Sequence, residues 1–327
     1  MKKILLSIIV SAMAATAFAG TYKLTESEQN QITEEAEDWI DDMPIGIQDR
    51  LSDAVDHAMR GFYSEINSFR NSKDTTDIGK YSVAVKDING GGLSNINMRL
   101  YLAPGLENKV QPCLVFFHAG GWSLGSLDTS DRFCRALASE GNVKVISVAY
   151  PLAPEHPYPE ALKLCKEAVE LVFANAKDYG INPDSISLGG DGAGGNLALS
   201  TFQNLSESES VKTLVMFYPL LNTTGTLNKD SQRKFGRGYG FDSRLWESFI
   251  NAYGAQKTEI SKPLPTSLVI LAGRDIIVED VKEFASANSQ VELVEFTGAL
   301  HGFISDGQQK TAFDKAVQIT DEFLMNN

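Results

Sequence analysis

The stretch Ser185-Ile186-Ser187-Leu188-Gly189-Gly190-Asp191-Gly192-Ala193-Gly194-Gly195-Asn196 decides how the rest of the chain is read. It opens as a short apolar strand, turns sharply through small residues, and continues as the start of a helix. A strained strand-to-helix turn of this kind lifts the side chain at its tip above a sheet, where a nucleophile is exposed. The small residues follow from the close approach of backbones, which leaves no room for a Cβ. The tip falls on Gly192. A turn built to present a nucleophile therefore presents none.

Outward from this turn the pattern alternates. Apolar runs at Val110–His118 and Val143–Tyr150 suit strands covered on both faces. Strands are also expected at Ser185–Leu188, Lys212–Phe217, Ser267–Leu271 and Val291–Phe296, and half-buried ones near Tyr81–Val85 and Met98–Leu102. Helices are expected at about Ser130–Glu140, Pro159–Lys177, Ala193–Leu205, Val278–Ala287 and Gln309–Met325. Strands alternating with helices predict an α/β fold on a mostly parallel sheet. Residues 20–75 are acid-rich and helical in pattern, with Ile47, Leu51, Val55, Met59 and Phe62 on one helix face. The stretch from about 221 to 265 breaks the rhythm, and with residues 20–75 it is expected to form a cap over the sheet edge. The core is expected over 76–327.

Composition sets outer bounds. The chain has 327 residues and a net charge of -13, which disfavours nucleic acid and anionic membrane surfaces as partners. Met1-Lys2-Lys3, the apolar run Ile4–Phe18 and Ala17-Phe18-Ala19 read as a bacterial signal peptide, residues 1–19, cleaved after Ala19. A periplasmic or secreted location follows, with no membrane attachment after cleavage. Three cysteines, Cys113, Cys134 and Cys165, allow one disulfide at most. The four histidines show no metal-ligand spacing, so no metal and no cofactor are expected. The oligomeric state is open, a homodimer included.

In open α/β sheets ligands bind at the carboxyl ends of the strands. Four segments follow predicted strands: His118-Ala119-Gly120-Gly121-Trp122, the turn at Gly192, Gly273-Arg274-Asp275, and Leu300-His301-Gly302-Phe303. The order is turn, acid, histidine. His301 suits a general base and Asp275 the carboxylate that fixes its tautomer. Gly120 and Gly121, with the N–H of Ala193, suit an oxyanion hole, where bulk must be small. His118 is expected to brace that loop rather than to move protons. His156 is expected to be structural, and His57 to face solvent.

These segments, together with Tyr150-Pro151-Leu152-Ala153-Pro154-Glu155-His156-Pro157 and Gly125-Ser126-Leu127-Asp128-Thr129, resemble the hormone-sensitive-lipase-like family of α/β-hydrolases, bacterial carboxylesterases among them. The resemblance implies an eight-stranded sheet with helices on both faces, a helical cap, and cofactor-free hydrolysis of short or medium acyl esters. It also implies that Gly120, Gly121 and Ala193 donate to the oxyanion. The departures are specific. The family's Gly-Asp-Ser-Ala-Gly-Gly reads Gly190-Asp191-Gly192-Ala193-Gly194-Gly195, and His-Gly-Gly-Gly reads His118-Ala119-Gly120-Gly121. The segment between Tyr253 and Ser267 is shorter than usual. Asp191 precedes the tip, so its use as nucleophile would require slipping the turn by one residue.

Three readings stay open at this point: an esterase relative that is inactive or severely impaired, a non-catalytic binder of a small ester or carboxylate, and an inactivated variant of a working carboxylesterase.

Overall fold

The computed structural model describes residues 22–71, 78–90, 96–206, 211–223, 229–254 and 256–327. The expected leader, residues 1–19, lies outside the described residues. In chain order the elements are α1 (Glu26–Asp42), α2 (Ile47–Met59), α3 (Ser64–Arg70), β1 (Ala84–Gly90), β2 (Ile96–Leu102), β3 (Gln111–Phe117), α4 (Asp131–Ser139), β4 (Lys144–Ala149) and α5 (Glu160–Ala174). They continue as β5 (Ile181–Asp191), α6 (Ala193–Asn204), β6 (Val211–Phe217), α7 (Asp230–Phe235), α8 (Ser243–Tyr253), β7 (Ser267–Arg274), α9 (Val278–Ala287), β8 (Val291–Leu300) and α10 (Lys310–Asn326).

The eight strands form one sheet in the order β1-β2-β4-β3-β5-β6-β7-β8. The pairs β1–β2 and β2–β4 are antiparallel, and the remaining pairs are parallel. The central strands β3, β4 and β6 are buried almost end to end, which is why they read as unbroken apolar runs instead of alternations. At the outer edge β8 alternates over its first half, as expected of a strand with one covered face.

Helix α1 closes that edge. Gln29 donates through Nε2 to the Glu295 carbonyl (3.0 Å) and accepts from the Thr297 amide (2.9 Å). Backbone groups that a sheet edge leaves open are thereby satisfied. A Cβ at Gly298 would lie 2.0 Å from Thr33 Oγ1, so only glycine allows this approach. Helix α1 thus packs on β8 and α10, whereas α2 packs on α8. The helical face expected across Ile47–Phe62 divides at the break after Met59. Val55 is fully buried, and Met59 and Phe62 are exposed.

Strand β1 begins at Ala84 rather than near Tyr81, after a 3-10 turn at Ile78–Lys80. Strands β7 and β8 run three and four residues beyond their apolar cores (Leu271 to Arg274, Phe296 to Leu300). The three thiols are unpaired and buried.

Candidate active site

Four strands end immediately before a candidate residue. Strand β3 ends at Phe117 and is followed by His118. Strand β5 is followed by Gly192, β7 by Asp275, and β8 by His301. Parallel pairing places the carboxyl ends of β3, β5, β7 and β8 on one side of the sheet, so residues 183 positions apart in sequence (118 to 301) converge.

Backbone crowding explains the glycines of the turn. A Cβ at Gly194 would stand 1.9 Å from the Phe117 carbonyl oxygen, and one at Gly190 2.4 Å from the Gly194 backbone. Gly192 has φ 55° and ψ -114°, a region that side-chain-bearing residues enter only under strain. Its amide donates to Phe217 O (3.0 Å), and its carbonyl accepts from Asn196 (3.2 Å) and Leu220 (3.0 Å). The turn keeps its tip geometry without the side chain that usually requires it.

His301 donates from Nδ1 to Asp275 Oδ2 at 2.6 Å, and Asp275 is fully buried at its side chain. An ionised carboxylate only accepts, so the ring proton sits on Nδ1 and the Nε2 lone pair is free for proton transfer. Asp275 Oδ1 accepts from the Ile277 amide at 3.4 Å. A Cβ built on Gly192 would lie 3.3 Å from His301 Nε2. The base is therefore aimed at the position from which a serine hydroxyl would project.

The loop after β3 is equally constrained. Gly120 (φ 121°) and Gly121 (φ 57°) occupy left-handed backbone. A Cβ on Gly120 would strike Leu124 O at 2.2 Å, and one on Gly121 the Phe249 ring at 2.1 Å. Ala193 is the first residue of α6, so its N–H has no acceptor within the helix. His118 is buried and its imidazole is held down to about 4 by desolvation, which keeps it neutral near pH 7. It bonds through Nδ1 to the Ala119 carbonyl (2.7 Å) and stacks on Tyr150, whose hydroxyl donates to His118 O (2.8 Å). Those contacts brace the loop. His57 pairs with Glu65 (2.8 Å) on the cap, and His156 is exposed on its own turn.

Several supporting residues carry no local signal in the sequence. Asp191 is buried and accepts from Ser305 Oγ (2.6 Å) and Tyr218 OH (3.2 Å), tying the turn to the loop after His301. Burial pushes its carboxyl up to about 6. Gln309 accepts from the Leu300 amide (2.7 Å) and donates to Asp306 (2.6 Å), fixing the residue before His301. From the cap region, Phe241 stacks on the His301 ring at 4.2 Å, and Phe249 of α8 covers Gly121. Arg70, at the end of α3, donates to Ser123 O and Ala153 O (2.8 Å each) and pairs with Glu155. It anchors the N-terminal segment beside the oxyanion loop. Apart from the local Gln309 bonds, these contacts join residues far apart in sequence, and spacing rules cannot reveal them.

A parallel-centred eight-stranded sheet with an acid, a histidine and glycine-rich turns at its strand ends defines an α/β-hydrolase fold. The chain belongs to the alpha/beta hydrolase fold family, whose sequence model matches residues 114–305, and within it to the hormone-sensitive-lipase-like carboxylesterases. It is similar to the carboxylic ester hydrolase LipN of Mycobacterium tuberculosis, with 31% identity over 59% of this chain and 57% of that protein. It is also similar to the carboxylesterase NlhH of the same organism, with 44% identity over 33% of each chain. The matches thus span about half of the first relative and a third of the second. Among solved structures, a hyperthermophilic esterase from Pyrobaculum calidifontis aligns with TM-score 0.72 at 25% identity, covering 87% of this chain and 99% of its own. An esterase structure from Rhizomucor miehei aligns with TM-score 0.72 at 26% identity, covering 94% and 97%.

Proposed function

We propose that this protein is an exported member of the carboxylic-ester-hydrolase lineage that receives small esters or carboxylates at its strand ends but lacks the acyl-enzyme route. One observation carries this reading: the 3.3 Å between His301 Nε2 and the Cβ position of Gly192. His301 and Asp275 remain paired and aimed at the Gly192 position, as a base and its orienting acid would be around an absent nucleophile.

Loss of a triad serine lowers turnover by about 10⁶ in a protease where this has been measured. At about 1.36 kcal/mol per decade that is roughly 8 kcal/mol of transition-state stabilisation, more than the remaining groups can replace. Residual hydrolysis then runs by water activated at Nε2, slowly and without a burst of product. The acyl group is short or medium, as the family resemblance implies. Export rests on the residues 1–19 pattern and is read out by intact mass of the protein recovered from periplasm, expected to begin at Gly20.

The test is hydrolysis of p-nitrophenyl acetate and butyrate by the purified protein, its Gly192→Ser form and its His301→Ala form. A serine form faster than the parent by several decades supports the reading. A fast parent that depends on His301 overturns the impairment, and an inactive, folded serine form overturns the esterase-like site.

A further inference from the structure

Helix α6 is buried along nearly its whole length, yet one side of it is polar. Asn196, Ser200 and Gln203 succeed one another at spacings of four and three residues, which aligns them on one face. They are 4%, 6% and 6% exposed. Polar groups at such depth require hydrogen-bond partners, and residues 258–262, within the shortened segment before β7, supply some of them. Gln203 accepts from the Ser261 and Lys262 amides (3.0 and 2.9 Å) and donates to Lys262 O (3.1 Å). Ser200 bonds to Thr258 Oγ1 at 2.5 Å. For Asn196 the supply is incomplete. Its Nδ2 reaches Thr258 Oγ1 only at 3.5 Å, and its Oδ1 accepts no hydrogen bond from any described residue.

Asn196 and Ser200 line a cavity of about 350 Å³ between α6, the start of α5 and residues 256–261. Neither Gly192, Ala119 nor His301 lines it, so it is distinct from the site at the strand ends. Its exposed wall includes Tyr158, Gln256, Lys257 and Glu259. The volume lies at the lower end of the about 300–1,000 Å³ of small-molecule sites, room for a ligand of one ring. A single carboxylate, Glu259, is too few for a divalent cation, which takes about six oxygen ligands or more. A single ammonium, Lys257, offset by that carboxylate, leaves no net charge to hold an anion. The other polar side chains of the lining are neutral amides and hydroxyls, which both donate and accept.

We propose that this cavity binds a polyol the size of a monosaccharide, free or at the end of a glycan chain. Each hydroxyl of such a ligand donates and accepts at once, as the lining does. Asn196 Oδ1 takes one hydroxyl proton and the Glu259 carboxylate a second. Tyr158, 38% exposed, offers an apolar ring face to the C–H groups of the sugar. The inference goes beyond the ester chemistry proposed above and does not depend on it.

Saturation-transfer difference NMR on the purified full chain tests the proposal. The probes are D-glucose, D-galactose, D-xylose and N-acetyl-D-glucosamine, with cellobiose and xylobiose as chain ends. Saturable binding of at least one monosaccharide is expected, with a dissociation constant of about 1 mM, the affinity of a ligand of about a dozen non-hydrogen atoms at ordinary efficiency. Asn196→Leu keeps the volume, removes the amide and is expected to weaken binding about tenfold. Tyr158→Ala, at an exposed position, is expected to weaken it about fivefold. Thermal melts check that both variants fold. Disaccharides that bind as well as monosaccharides assign a chain end, and binding confined to monosaccharides assigns a free sugar; both uphold the proposal. Absence of saturable binding by every sugar overturns it. Undiminished binding in a folded Asn196→Leu overturns it too, or in Tyr158→Ala if Asn196→Leu does not fold. Saturable binding of acetate or alanine in place of the sugars also overturns it, by assigning an anion or a zwitterion. The result is separable from the ester chemistry, because hydrolysis by Gly192→Ser neither requires nor excludes sugar binding by the parent.

Discussion

The strand ends and the cap are built by opposite rules. At the ends of β3, β5, β7 and β8 the backbone is held by buried hydrogen bonds and by glycines that admit no Cβ. In the cap, α2 meets α8 through Arg244 and the acids Asp49, Asp53 and Asp56, most of them about half exposed to solvent. The first region is over-determined, and its turn geometry is held by backbone contacts with glycine at the tip. The second is held by screened charge pairs and by a few aromatic contacts. Preorganisation here belongs to the scaffold, since the backbone contacts that hold the turn involve no side chain at position 192.

The sharpest way to break this comparison is to restore the atom. Gly192→Ser is expected to raise p-nitrophenyl ester turnover by several decades, up to about 10⁶. The same change is expected to lower stability, because φ 55° carries a strain of about 1–3 kcal/mol for a residue with a side chain and Nε2 must give slightly at 3.3 Å. Esterase assay and chemical denaturation of the two proteins measure both effects. In the serine form, Asp275→Asn is expected to reduce kcat by about 10⁴ through the wrong histidine tautomer. Gly121→Ala, in the same background, drives a methyl into the Phe249 ring and is expected to lower kcat by about 10²–10³ as an oxyanion donor is displaced. Steady-state kinetics on p-nitrophenyl butyrate separates these two.

A smaller effect concerns Asp191. Its folded pKa is raised to about 6 by burial, so the folded protein binds its proton more tightly than the unfolded chain does. Stability therefore falls as pH rises from about 4 to about 6 and levels off above. Asp191→Asn keeps an acceptor for Ser305 and Tyr218 and is expected to gain in melting temperature over the parent above pH 6, an advantage that vanishes below pH 4. The smallest effect is expected in the cap. Arg244→Ala removes exposed pairs and is expected to change unfolding free energy by less than about 1 kcal/mol after solvent screening, with weaker dependence still at high salt.

The same contrast explains what could be read from the chain itself. The parallel strands were legible because burial on both faces writes a continuous apolar run, as at Leu114–Phe117. The turn was legible because its glycines cluster between a strand and a helix, although what forces Gly194 is the Phe117 carbonyl of β3, and His301 and Asp275 because each directly follows a strand. Strand extent was not legible at β7 and β8, whose last residues include Gly273, Arg274, Thr297 and Gly298 and lack an apolar run. The packing of α1 on β8 was hidden for another reason. It rests on Gln29 meeting Glu295 and Thr297 across more than 260 residues, a pairing without periodicity. The contacts of Phe241 and Phe249 with the site were equally silent, since an aromatic residue in a loop (Phe241) or on a helix (Phe249) reads as ordinary packing.

The central claim is that the site is complete except for its nucleophile. Intact mass spectrometry after treatment with a serine-directed phosphonate, on the parent and on Gly192→Ser, tests it most directly. The account predicts no adduct on the parent and a single adduct at position 192 in the serine form. An adduct on the parent, or none on a folded serine form, would contradict it.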